Sequence, residues 1–172
     1  MVFPLVVIDA VLWPADSTVA IVSAPDVPEP YRGLLAHHHH MTVTVEAHYG
    51  GPVDVRVLES GRDGDGYFRR VVLTLHGTDR IVQYGLVRIN LALLDPAVRA
   101  AIVEQKTPLG RILIEHNVLR RVEPTAFLRV EPGPTLCAHL ALARPVTLYG
   151  RTGVIFCNDQ PAIAVLEILS PV

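Results

Sequence analysis

Three charged residues stand in segments that otherwise read as buried strand. In AIAVLEIL, residues 162–169, every neighbour of Glu167 is apolar, so its carboxylate lies amid buried surface whichever face points inward. A buried, uncompensated carboxylate is costly, and Glu167 therefore needs an arginine partner, a ligand or a chemical task. On sequence alone a structural ion pair and a functional acid both stay open. In YFRRVVLTL, residues 67–75, alternation sets Arg69 on the more apolar face with Tyr67, Val71, Leu73 and Leu75, and Arg70 on the other with Phe68, Val72 and Thr74. Arg69 is the candidate inward cation. Arg56, in VDVRVLE, alternates with Asp54 and Leu58 against Val53, Val55 and Val57, so parity alone points it to solvent. Two guanidiniums and a glutamate converging on an apolar cavity would suit a small, multiply anionic molecule, because a guanidinium fork binds a carboxylate bidentately in a desolvated space.

Other chemistry-bearing motifs point to less. The run His37-His38-His39-His40 is the obvious metal candidate, but successive helical residues diverge by about 100°. Only His37 with His40 or Met41 share a face, and a solvated or partner-facing tract is expected instead of zinc. The GRDGDG tract at 61–66 reads as a hairpin loop in preference to a calcium or phosphate site. There is no GxSxG, P-loop, GxGxxG or HExxH, and Cys137 and Cys157 form no CxxC.

These residues must be positioned by strands. Strand patterns occupy 53–59, 67–76 and 81–91, with short connections that favour antiparallel hairpins. Residues 31–48 can hold a helix that breaks near the histidines and stops at Tyr49-Gly50-Gly51-Pro52. Asp95-Pro96 opens a helix over AVRAAIVEQ, and Thr107-Pro108 caps a second, LGRILIE. Strands return at 126–130, 135–142, 145–150 and 153–169, with a turn at Cys157-Asn158-Asp159-Gln160-Pro161. The fold class expected is α+β, a single antiparallel sheet with helices on one face and a small internal cavity. Residues 1–30 read as a proline-rich arm over the surface, with MVFPLVVIDAVLW as an edge of the fold, and 31–172 as the domain.

Composition bounds the answer. With 172 residues, half of them hydrophobic and 19% charged, one compact domain is expected. Fifteen basic against seventeen acidic residues give a net charge of −2, which supplies no pull toward nucleic acid or an anionic membrane. Two cysteines without framework spacing fit a reducing cytoplasm.

Taken in order, Met41-Thr42, Val55-Arg56-Val57, Tyr67-Phe68-Arg69-Arg70, the TPLGRIL motif at 107–113 and Glu167 resemble the chorismate lyase (chorismate pyruvate-lyase) family over His40 to Leu169. The EHNVLRRVEP run at 115–124 is similar to a shorter branch found in phenolic glycolipid producers. The resemblance implies a sheet of about six strands with the ligand sealed beneath flaps. It implies a carbon-oxygen lyase that converts chorismate to 4-hydroxybenzoate and pyruvate, driven by aromatisation and needing no cofactor or metal. It assigns the ring carboxylate to Arg56 against the parity argument, with help from the amides of Met41 and Leu109 and from Thr107 and Gly110. Arg69 would hold the enolpyruvyl carboxylate, and Glu167 would meet the 4-oxygen. A related chorismate derivative as substrate, or a non-catalytic domain for aromatic acids like the effector-binding domains of some bacterial transcription regulators, are the alternatives.

Overall fold

The structure, a computed structural model, describes residues 15–172. Among these residues seven strands form one open sheet: β1 (Thr18–Val22), β2 (Val53–Asp63), β3 (Gly66–Leu75), β4 (Ile81–Asn90), β5 (Arg120–Glu131), β6 (Leu148–Cys157) and β7 (Gln160–Leu169). Their order is β1-β5-β6-β7-β4-β3-β2, with every pair antiparallel. Five α-helices accompany them: α1 (Tyr31–Leu35), α2 (Met41–Tyr49), α3 (Pro96–Glu104), α4 (Leu109–Glu115) and α5 (Pro134–His139). The expected α+β class and antiparallel sheet are those observed.

Local chemistry explains most element boundaries. Asn158 and Asp159 take left-handed φ values of 50° and 62°, which short polar side chains tolerate, and this closes the β6–β7 hairpin tightly. Gly50, at φ 71°, ends α2 with its N–H on the Glu46 carbonyl, as the glycine pair implied. Pro96 occupies the first turn of α3 behind Asp95.

Three expectations change. Residues 18–22 are strand: β1 pairs along β5 from Thr18↔Glu131 to Val22↔Phe127, so part of the stretch read as an irregular arm extends the sheet to seven strands. Residues 135–142 contain α5 instead of a strand, because Gly133-Pro134 starts a helical turn that buries Leu136 and Leu140. The break expected between 145–150 and 153 is absent, since β6 runs unbroken through Arg151. The reading of MVFPLVVIDAVLW lies outside the described residues.

The two faces of the sheet bury different sets. On one face Val87, Val165, Ile155 and Ile163 join Val98 and Ile102 of α3 and Ile112 and Leu113 of α4. On the other, Val72, Tyr84, Leu86, Leu166 and Ile168 pack with Leu136 and Leu140, so α5 covers the face that the first four helices leave. A third cluster ties α1 and α2 to the β2 edge through Leu35, Met41, Val45, Val53 and Leu73.

Candidate ligand-binding site

Sheet register brings Arg69 and Glu167 over one patch of the floor. Arg69 pairs with Val87, which pairs with Val165; one pleat along, Val71 pairs with Gly85, which pairs with Glu167. Their Cα atoms are thus two strands and two residues apart, roughly 12 Å by standard sheet spacings. Both side chains line a cavity between the sheet and α2 and α4, floored by Val71, Gly85 and Val165. Its free volume is about 50 Å³. An aromatic ring occupies a cavity nearer ~150 Å³, so a ring needs the cavity to widen.

Arg69 is 1% exposed, and its Nε and Nη1 have no hydrogen-bond partner among the described residues. Its Nη2 donates to the Thr107 carbonyl at 3.4 Å. Desolvation lowers its pKa from the usual arginine value. A guanidinium in this state costs the fold several kcal/mol on the order expected for an unpaired buried ion, and it is the donor half of an unmade bidentate contact. Gln83, which also lines the cavity, leaves Oε1 buried and unbonded among the described residues.

Glu167 is held otherwise. Its Oε2 accepts from Nε of Arg151 at 2.7 Å, and the side chains are 13% and 1% exposed. The structural ion pair left open by the sequence therefore exists, yet Glu167 still borders the cavity, with only one carboxylate oxygen hydrogen-bonded among the described residues.

The roof is the start of α2 and α4. Neither Met41 nor Leu109, the first residue of each helix, sits behind a side-chain cap, and both line the cavity. Gly110 makes their approach possible: a Cβ there would come within 3.0 Å of both His40 Cβ and Thr42 Oγ1. Gly110→Ala is expected to push α4 off α2, cost about 1–3 kcal/mol by overpacking and weaken ligand affinity, which thermal melts and calorimetric titration of the purified variant check.

The four histidines point to different partners. His37 Nε2 lies 2.7 Å from the Leu34 carbonyl, His38 Nδ1 lies 3.1 Å from the Val122 carbonyl, and His39 stacks on His37. His40 Nε2 accepts from Arg120 Nε at 2.7 Å, which fixes the neutral ring. Burial, then the nearby Arg120, brings His40 down to about 4; burial, then Arg151, does the same for His37. Both rings stay neutral in the folded protein down to about pH 4 but take a proton near 6.5 when unfolded. Between those values the unfolded chain binds more protons, so the stabilisation is complete above pH 6.5 and drains away as pH falls toward 4. At about 1.4 kcal/mol per pKa unit, His40 accounts for at most about 3.5 kcal/mol of that loss. Urea denaturation across this range is expected to show it, and His40→Asn to flatten the profile.

Of the residues expected at a site, Arg69, Met41, Leu109, Gly110 and Glu167 are brought together, and Thr107 contributes its carbonyl to Arg69. Arg56 is not brought in. It is exposed, while its neighbour Val55 lines the cavity, so the alternation of β2 turns Arg56 away from it. Sequence reasoning missed Arg151, because the stretch around it looked like a gap between strands, and missed Gln83, Gly85 and His40. Their shared parity with Val87 and Arg69 across β4 was the available signal for Gln83 and Gly85.

No family model and no curated protein matches the chain. Its fold is similar to solved structures. The effector domain of PhnF from Mycobacterium smegmatis aligns with a TM-score of 0.53 at 12% identity, covering 76% of this chain and 88% of that one. The ligand-binding domain of a protein assigned to the GntR family of transcriptional regulators, from Bordetella bronchiseptica, gives 0.52 at 15% identity, covering 69% and 85%. PhnF itself gives 0.51 at 12%, covering 74% of this chain and 62% of the longer PhnF chain.

Proposed function

We propose that the cavity binds a small aromatic carboxylate and that the chain is a chorismate pyruvate-lyase. The observation that carries this reading is that Arg69, with two nitrogens unbonded among the described residues, lines a largely apolar cavity that Glu167 also lines. A carboxylate supplies the acceptors that Arg69 lacks, and the apolar walls accept a ring. With Arg56 outside, Arg69 moves from the enolpyruvyl carboxylate, its expected partner, to the ring carboxylate, with the first amides of α2 and α4 alongside.

The chemistry asks for orientation and water exclusion. The ether C–O bond at ring C3 breaks with its electron pair on oxygen, the hydrogen on C4 leaves as a proton, and the ring becomes aromatic. The released enolpyruvate gains one proton to become pyruvate. Arg69 anchors the far end of the ring, and Glu167, steadied by Arg151, meets the 4-hydroxyl near the carbon that loses its proton.

Incubation of the purified protein with chorismate is expected to release pyruvate and 4-hydroxybenzoate in equal amounts, measured by coupled assay and chromatography. Absence of both would remove the enzyme reading. One observation favours a second reading: two of the solved structures similar in fold are described as a ligand-binding domain and an effector domain. Saturable binding of 4-hydroxybenzoate without any pyruvate release would establish that one instead.

A further inference from the structure

The Arg151 side chain does more than neutralise Glu167. It reaches from β6 beneath the loop that joins α1 to α2, and spends its donors on that loop's backbone. Nη1 donates to the carbonyls of Leu35 at 3.0 Å and His37 at 2.9 Å, and Nη2 to the carbonyl of His39 at 3.0 Å. Nε takes Glu167 at 2.7 Å. The carbonyl that ends α1, two alternate carbonyls of the loop after it and the site carboxylate therefore share a single planar group that is 1% exposed. Arg151 and Glu167 are also direct register partners on β6 and β7, so the sheet fixes their relation before the loop arrives.

The loop ends at His40 and Met41, which line the cavity. A rigid fork that binds residues 35, 37 and 39 at one end and Glu167 at the other sets the height of the α2 N-terminus above the floor. We propose that Arg151 is a positioning residue that locks the roof of the cavity to its acid, so that the first amides of α2 and the Glu167 carboxylate meet one ligand in fixed relation. The inference rests on the ligand site proposed above. Only arginine supplies this set of bonds: a lysine ammonium can keep the charge beside Glu167 but has no planar fork to span three carbonyls.

The test uses Arg151→Lys in the full chain, with circular dichroism to confirm folding. Amide hydrogen exchange is expected to accelerate at least tenfold in residues 36–42 while the β4–β7 core is unchanged, and calorimetry to show at least tenfold weaker 4-hydroxybenzoate binding. Unchanged loop exchange and unchanged affinity in a folded variant would overturn the proposal. A second measurement needs no variant: nitrogen-15 spectra of the wild-type guanidinium are expected to show separate Nη1 and Nη2 signals for Arg151, as hindered rotation demands. A single averaged signal would overturn it even if Arg151→Lys fails to fold. If the wild type binds no hydroxybenzoate, the ligand reading fails while loop exchange and the guanidinium spectrum still judge the clamp.

Discussion

Replacing Arg69 by methionine is expected to yield a protein that is more stable and no longer binds hydroxybenzoates. The two effects have one cause. In the unliganded protein the guanidinium is 1% exposed with Nε and Nη1 unbonded, so the fold carries the desolvation of a charge and receives one long hydrogen bond in return. Methionine fills similar volume without that charge, and exchanges of buried ions for apolar side chains are often neutral or stabilising by about 1–4 kcal/mol. In the complex the same group is the counter-ion of the carboxylate, and losing a desolvated charge pair costs about 2–5 kcal/mol of binding, or roughly 30-fold to several thousandfold. Differential scanning calorimetry with and without 4-hydroxybenzoate measures both at once: melting rises or holds for the apo variant, and the ligand-induced shift disappears. Arg56→Ala serves as the contrast, because an exposed arginine outside the cavity should leave the shift intact. A destabilised Arg69→Met that still binds would mean the ligand's anion is held elsewhere.

The second large effect falls on Glu167, and here the sign on stability reverses. Glu167→Ala strips the carboxylate from Arg151, a cation that is 1% exposed and cannot reach water. Breaking one side of a buried pair typically costs about 3–5 kcal/mol, which for a chain of this size lowers the melting temperature by roughly 6–20 °C. Glu167→Gln keeps an acceptor for Arg151 Nε and should lose much less stability. Its effect on turnover separates the functional role from the structural one: loss of a positioned acid-base group slows a reaction by about 10²–10⁴. Denaturant melts and pyruvate release for both variants make the comparison. Full turnover in Glu167→Ala would leave the residue with its structural role only.

The face on which Arg69 sits was legible in YFRRVVLTL, because strand alternation is a local property and survives any arrangement of the strands. The same arithmetic placed Arg56 outward, and the structure keeps it there, against the role implied by resemblance. The suspicion that Glu167 needed a partner was equally local, since an apolar strand raises the cost of a charge whatever lies across from it. Which partner it has was not local. Arg151 lies 16 residues away, but the pairing depends on β6 and β7 forming a hairpin in the register that sets the two side by side. The start of β1 was hidden by the prolines that follow it, and α5 by a run of residues compatible with a strand.

By itself, then, the chain determined its class, the breaks around the histidines and at Gly50, the inward aim of one arginine and the need of one acid for a partner or a task. Those follow from backbone sterics and two-residue periodicity, which act over a few positions. The tertiary structure alone decided that the acid is shared with Arg151, that Gly110 lets two helix starts meet above it, and that two of the three Arg69 nitrogens are left unbonded among the described residues. Each of these depends on which strands become neighbours, and hydrogen bonds between groups far apart in sequence exist only once that choice is made.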